Sequence, residues 1–77
     1  MKWEIIDGKL TRNFKFISQT DLAEFLLKIA IYADKMNHHP DCKIYKAFQL
    51  EISLCTHDKN EITNLDYQLS EFISSLV

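Results

Sequence analysis

The sequence predicts an α+β fold, a two-layer sandwich in which helices cover one face of a largely antiparallel sheet. Three observations predict it. Apolar and polar residues alternate along 10–16 and 48–54, apolar residues recur at helical spacing along 22–36 and 65–76, and the only glycine and only proline fall between such stretches. At 77 residues the chain accommodates one domain, 1–77, and one core.

The elements follow in order. Trp3 to Ile6 and Leu10 to Phe16 flank Asp7-Gly8, and in the second run Leu10, Phe14 and Phe16 alternate with Thr11, Asn13 and Lys15. This pattern predicts a β-hairpin whose turn uses Gly8 where a positive φ is required. Ser18, with Asp21 three positions on, predicts a helix N-terminus. Leu22, Leu26, Ile29, Ala33 and Met36 step by four and three residues onto one buried face. Leu27 and Ile31 lie roughly opposite, either as a subunit contact or as two solitary exposed aliphatics.

Pro40 disfavours the α conformation at His39, so this helix is expected to end near Asn37, with His38 and His39 on its exit loop. Phe48, Leu50, Ile52 and Leu54 then alternate with Gln49, Glu51 and Ser53 as a half-buried strand ending toward His57. Tyr45 and Ala47 fall on the opposite phase, which requires a reversal or a bulge near Lys46. Thr63 with Asp66 predicts the cap of a last helix, whose buried stripe is Leu65, Leu69, Phe72, Ile73 and Leu76. The residues alone thus give ββα, one or two strands, then α.

Charge and composition exclude several functions. The net charge is −2 and the lysines are scattered among acids, which disfavours nucleic acid as a partner. No apolar run approaches the roughly 20 residues of a membrane span, and Met1-Lys2-Trp3-Glu4 lacks a signal-peptide core, so a cytoplasmic protein is expected. Cys42 and Cys55 are read as free thiols. A domain this small buries only about 60% of its unfolded surface, so self-association would widen its stability margin.

Three histidines, His38, His39 and His57, all fall at element ends. Imidazole gives and takes a proton near neutral pH, and an adjacent pair before a proline is less ordinary than a solvated loop histidine. Convergence of the three at one edge of the fold is the expectation. A metal site is disfavoured because sequence neighbours rarely face one ion and the HxxxH and CxxC spacings are absent. Asp34, one helical turn before His38, is placed to orient an imidazole or a substrate N–H, or is simply a solvated helix acid. Asp66 equally suits the first turn of its helix. Glycine-rich phosphate loops, dinucleotide fingerprints and serine-nucleophile motifs are missing.

The motif Asp34-Lys35-Met36-Asn37-His38-His39-Pro40-Asp41 resembles that of the pterin-4a-carbinolamine dehydratase family, an acid followed by NHHP and a further acid. Trp3-Glu4, Leu10, Arg12, Phe14 and Phe16 resemble the family's hairpin, and Thr56-His57-Asp58, Ile62-Thr63 and Asp66 resemble its THD, LT and D positions. The family commonly has two glycines where this chain has Asn60 and Glu61, and Cys42 replaces a frequent tryptophan, with Tyr45 as the retained aromatic. Members often carry a further N-terminal helix, so the chain reads as a short version.

The resemblance implies a four-stranded antiparallel sheet with two helices on one face, ordered ββαββα, and a reversal near Lys46. It further implies dehydration of a 4a-hydroxytetrahydropterin to the quinonoid dihydropterin, without metal or organic cofactor, in support of tetrahydropterin recycling. Carried over residue by residue, His38 and His57 form the acid/base pair and His39 holds the ring. Asp34, Pro40, Thr56 and Asp66 bind or orient. A small pterin is the implied partner and a homodimer or homotetramer the implied assembly. The alternative is a non-catalytic binding module acting as a dimerisation cofactor for another protein.

Overall fold

The computed structural model describes residues 2–77. Its elements are β1 (Glu4–Ile6), β2 (Lys9–Lys15), α1 (Gln19–Met36), β3 (Asp41–Tyr45), β4 (Gln49–Leu54) and α2 (Asn64–Ser75). The four strands form one antiparallel sheet in the order β1-β2-β4-β3. This is the α+β sandwich of order ββαββα, built from two hairpins laid side by side with β2 and β4 central.

The register explains the core. Leu10 pairs with Leu54, Arg12 with Ile52 and Phe14 with Leu50, so one phase of each central strand faces the helices. These apolar residues pack with Trp3, Leu22, Phe25, Ile29, Leu69 and Ile73. Arg12 stays on this phase by lying over the Phe14 ring, 4.7 Å from its centroid, and by donating to Ser74 Oγ at 3.2 Å. Between the helices Tyr32 stacks on Phe72 with ring centroids 3.9 Å apart, and Gln68 donates to the Tyr32 hydroxyl. The edge strands β1 and β3 are mostly exposed, and Ile5 and Ile44 overhang the covered face.

Ser18 caps α1 by accepting from the Asp21 amide at 3.0 Å. The helix ends as expected. Asn37 adopts the left-handed conformation (φ 51°), its N–H reaching the Asp34 carbonyl and the His38 N–H that of Ala33, which is a Schellman motif. Leu22, Ile29 and Ala33 are buried and Leu26 and Met36 partly so, while Phe25 joins them from outside the expected stripe. Leu27 and Ile31 are exposed.

Three expected boundaries shift. Phe48 lies beyond β4, in the reversal 46–48, and is exposed, because Tyr45 pairs with Gln49 and leaves Lys46, Ala47 and Phe48 as the loop. Leu65 is exposed rather than part of the buried stripe, since it sits in the first turn of α2, where the chain is still leaving the surface. His57 lies three residues past β4, in a turn bounded by the bridge from Thr56 to Glu61.

Both hairpins turn through left-handed residues. Asp7 (φ 51°) and Gly8 (φ 76°) are suited to this, whereas Lys46 (φ 51°) and Ala47 (φ 65°) are not. Alanine there costs about 1–2 kcal/mol, partly offset by the extra unfolded-state entropy of a glycine, about 0.4–1 kcal/mol. Ala47→Gly is therefore expected to stabilise the fold by about 0.5–1 kcal/mol, read as a rise of a few degrees in Tm. A drop in Tm would show that the turn is not strained.

Candidate active site

The Schellman turn at the end of α1 separates the two adjacent histidines. His38 is folded back under the helix and is 9% exposed, whereas His39 points outward. On the second helix, the capping box that starts α2 places Asp66 in its first turn, where it is fully buried. The two meet across the gap between the helices, with His38 Nε2 2.6 Å from Asp66 Oδ1.

The second carboxylate oxygen is also engaged. Asp66 Oδ2 accepts from the Thr56 hydroxyl at 2.9 Å and from the Thr63 N–H at 2.9 Å, and the Thr56 and Thr63 hydroxyls are 2.6 Å apart. Thr56 reaches this position because its backbone bridges to Glu61 just past β4. A buried carboxylate is tolerable only when so satisfied. Asp66 thus completes a helix cap and hydrogen-bonds an imidazole.

The other histidines have carboxylates of their own. His39 Nε2 is 2.8 Å from Asp34 Oδ1 in an exposed pair, so Asp34 partners His39 and not His38, because the turn at Asn37 swings His38 away. His57 Nε2 lies 3.9 Å from Asp41 Oδ1, and Asp41 also lies 3.8 Å from Lys9 Nζ. Since Asp41 directly follows His39-Pro40, the turn after β4 and the exit of α1 share one edge of the sheet. Pro40 is half-buried between His39 and β3.

A hollow of about 440 Å³ opens at this edge, lined by Asn37, His38, Thr56, Asp58, Lys59 and Thr63 together with Asn64 and Leu65. That volume falls within the range of small-molecule sites, about 300–1,000 Å³. Of the sequence-predicted residues, His38 and Thr56 line it. Asp66 stands behind His38, and His39, His57, Asp34 and Pro40 are not among the lining residues. Sequence reasoning misses Lys59 and Asn64, and it places Asp58 and Thr63 in the family's motifs, with Thr63 also a helix cap, without giving either a part in the site. A second hollow of about 270 Å³, on the uncovered sheet face by Thr11, Glu51 and Ser53, contains none of the predicted residues.

The loop carrying His57 accommodates its departure from glycine. Asn60 is left-handed (φ 53°), a conformation asparagine adopts more readily than other non-glycine residues. Cys42, by contrast, is a poor nucleophile. Partial desolvation of the sulfur on this otherwise exposed strand, and then the neighbouring Asp41 carboxylate, push its thiol up to about 11, so it stays protonated near neutral pH. Among the described residues, no three His, Cys, Asp or Glu side chains are grouped as a metal site, and no helix is long and apolar enough to cross a membrane.

The sandwich, with a histidine and a carboxylate joined between its helix ends, is a pterin dehydratase-like architecture. The crystal structure of a transcriptional coactivator/pterin dehydratase from Brucella melitensis matches it with a TM-score of 0.88 at 30% identity, covering 96% of this chain and 80% of that one. A pterin dehydratase-like protein identified as a RuBisCO assembly factor in the alpha-carboxysome shares the fold, with a TM-score of 0.77 at 16% identity over 99% of this chain and 89% of its own. A Prochlorococcus marinus protein, whose pterin-4-alpha-carbinolamine dehydratase name is provisional, is 40% identical over 75 residues, 96% of this chain and 76% of its own length. The profile of the pterin 4 alpha carbinolamine dehydratase family matches residues 1–76, and the chain belongs to that family.

Proposed function

We propose that the protein dehydrates a 4a-hydroxytetrahydropterin to the quinonoid dihydropterin, by histidine acid/base catalysis, in support of tetrahydropterin recycling in the cytoplasm. The observation that carries the reading is the His38 ring, held by a buried carboxylate in the wall of a hollow of about 440 Å³. Family membership supports a pterin as the substrate class.

The chemistry needs two proton transfers. Hydroxide leaves poorly, so an imidazolium protonates the 4a-oxygen as the C–O bond breaks and water departs. A base takes the proton from the adjacent ring nitrogen, whose electron pair forms the C=N bond. His38 and His57 are the acid/base pair, and His39, steadied by Asp34, holds the ring. Pro40 sets the path of the chain between His39 and β3, while Thr56 and Asp66 fix His38. His39 and His57 reach a substrate that extends from the hollow toward the edge they occupy. No metal or organic cofactor takes part. The exposed Leu27 and Ile31 form part of a homodimer or homotetramer contact.

The decisive measurement is dehydration of freshly generated carbinolamine, followed against the uncatalysed reaction. Acceleration that survives exhaustive chelation is the expected result. A rate equal to that of buffer alone would leave a non-catalytic binding module, such as a dimerisation cofactor, as the better reading. Loss of rate that added zinc restores would point to metal chemistry.

A further inference from the structure

Hydrogen-bond directions around Asp66 decide which nitrogen of His38 is free. Asp66 Oδ2 receives the Thr56 O–H and the Thr63 N–H, so any proton on the carboxyl group would lie on Oδ1, toward His38 Nε2. A carboxylate only accepts, and among the described residues His38 Nε2 is the group within hydrogen-bond distance of Oδ1. The shared proton therefore resides on Nε2. Thr56 spends its single hydroxyl hydrogen on Asp66, so across the 2.6 Å contact between the hydroxyls Thr63 must be the donor. The chain of donation runs from the Thr63 O–H to Thr56 Oγ1, from the Thr56 O–H to Asp66 Oδ2, and from the His38 Nε2–H to Asp66 Oδ1.

The other ring nitrogen is unengaged. Among the described residues, every buried side-chain nitrogen or oxygen has a hydrogen-bond partner, and His38 Nδ1 has none, so Nδ1 is the atom that reaches accessible space. His38 lines the hollow, which is the space available to it.

We propose that Thr63 is a positioning residue. Its hydroxyl holds Thr56, and its amide together with Thr56 holds Asp66, so that His38 keeps a proton on Nε2 and presents Nδ1 to the pterin. A residue that reads in the sequence as a helix cap thereby selects the working tautomer of a histidine to which it is linked only through Thr56 and Asp66. The proposal rests on the reading of His38 as an acid/base group, but its principal test does not depend on turnover.

Nitrogen NMR of the histidine-labelled protein, at a pH where the rings are neutral, reads the tautomer directly. The expected spectrum shows His38 wholly as the Nε2–H form. Thr63→Val removes the hydroxyl and keeps the amide, and is expected to mix the tautomers and to lower kcat by about 10- to 100-fold while KM changes little. Thr63→Ser is expected to restore both the spectrum and kcat. Predominant Nδ1–H in the unsubstituted protein would overturn the proposal with no variant needed. So would a folded Thr63→Val protein with one tautomer and full kcat. A fixed, Thr63-dependent Nε2–H tautomer in a protein that fails to accelerate dehydration would support the positioning and sink the dehydratase reading, so the two failures are separable.

Discussion

Replacing His38 with glutamine is expected to lower the rate of carbinolamine dehydration by about 10²- to 10⁴-fold, the usual contribution of one positioned acid or base. Glutamine is the informative substitution because its amide N–H can still donate to Asp66, whereas alanine would leave a buried carboxylate with two donors where three now stand. A folded but slow His38→Gln protein therefore separates chemistry from stability. The loss should fall on kcat, since a proton transfer made in the transition state is removed and binding is largely kept. His57→Ala is the companion variant. Its ring is 62% exposed and nearly 4 Å from Asp41, so its removal should change stability by no more than about 0.5 kcal/mol while still slowing turnover. Turnover like that of the unsubstituted protein in both variants would end the acid/base assignment.

The parts of the fold that were legible in the sequence are those where local chemistry and tertiary packing agree. Ser18 and Pro40 bound α1 because one supplies a side-chain acceptor and the other forbids the preceding helical conformation. The alternation in β2 and β4 was readable because these central strands bury one face, whereas β1 and β3 are edges whose exposed residues carry little pattern. Phe48 falls outside the strand that its phase predicts because a period of two carries through a turn residue without marking where pairing stops. Leu65 went the same way, since helical spacing does not say which turn has reached the core.

The site divides similarly. Histidines at element ends could be picked out, and the resemblance singled out Thr56 and Asp66. The pairing of Asp34 with His39 depends on a left-handed residue at Asn37, which spacing along an ideal helix cannot anticipate. Thr63 is legible as a cap and as part of the family's motif; its contact with Thr56 arises only when the loop after β4 folds against the start of α2.

Asp66→Asn is expected to destabilise the protein by about 2–4 kcal/mol, although the side chain barely changes shape. The carboxylate is fully buried and accepts from three groups, and an amide cannot replace it in either orientation. With its NH₂ toward His38, two donors face each other across 2.6 Å unless the ring changes tautomer. With its NH₂ toward the threonines, the Thr63 N–H loses its acceptor and faces a second donor. Asp34→Asn is the control, because that carboxylate is 74% exposed and its pair with His39 is solvated. There the cost should stay within about 0.5 kcal/mol. Urea unfolding measures both, with an unchanged m-value showing that the native and denatured states keep their compactness. A chain of this size has only about 4–12 kcal/mol in total, so the first substitution should shift the midpoint markedly and the second hardly at all. Equal shifts would mean that burial does not distinguish the two pairs, and that the network behind His38 is no firmer than a surface contact.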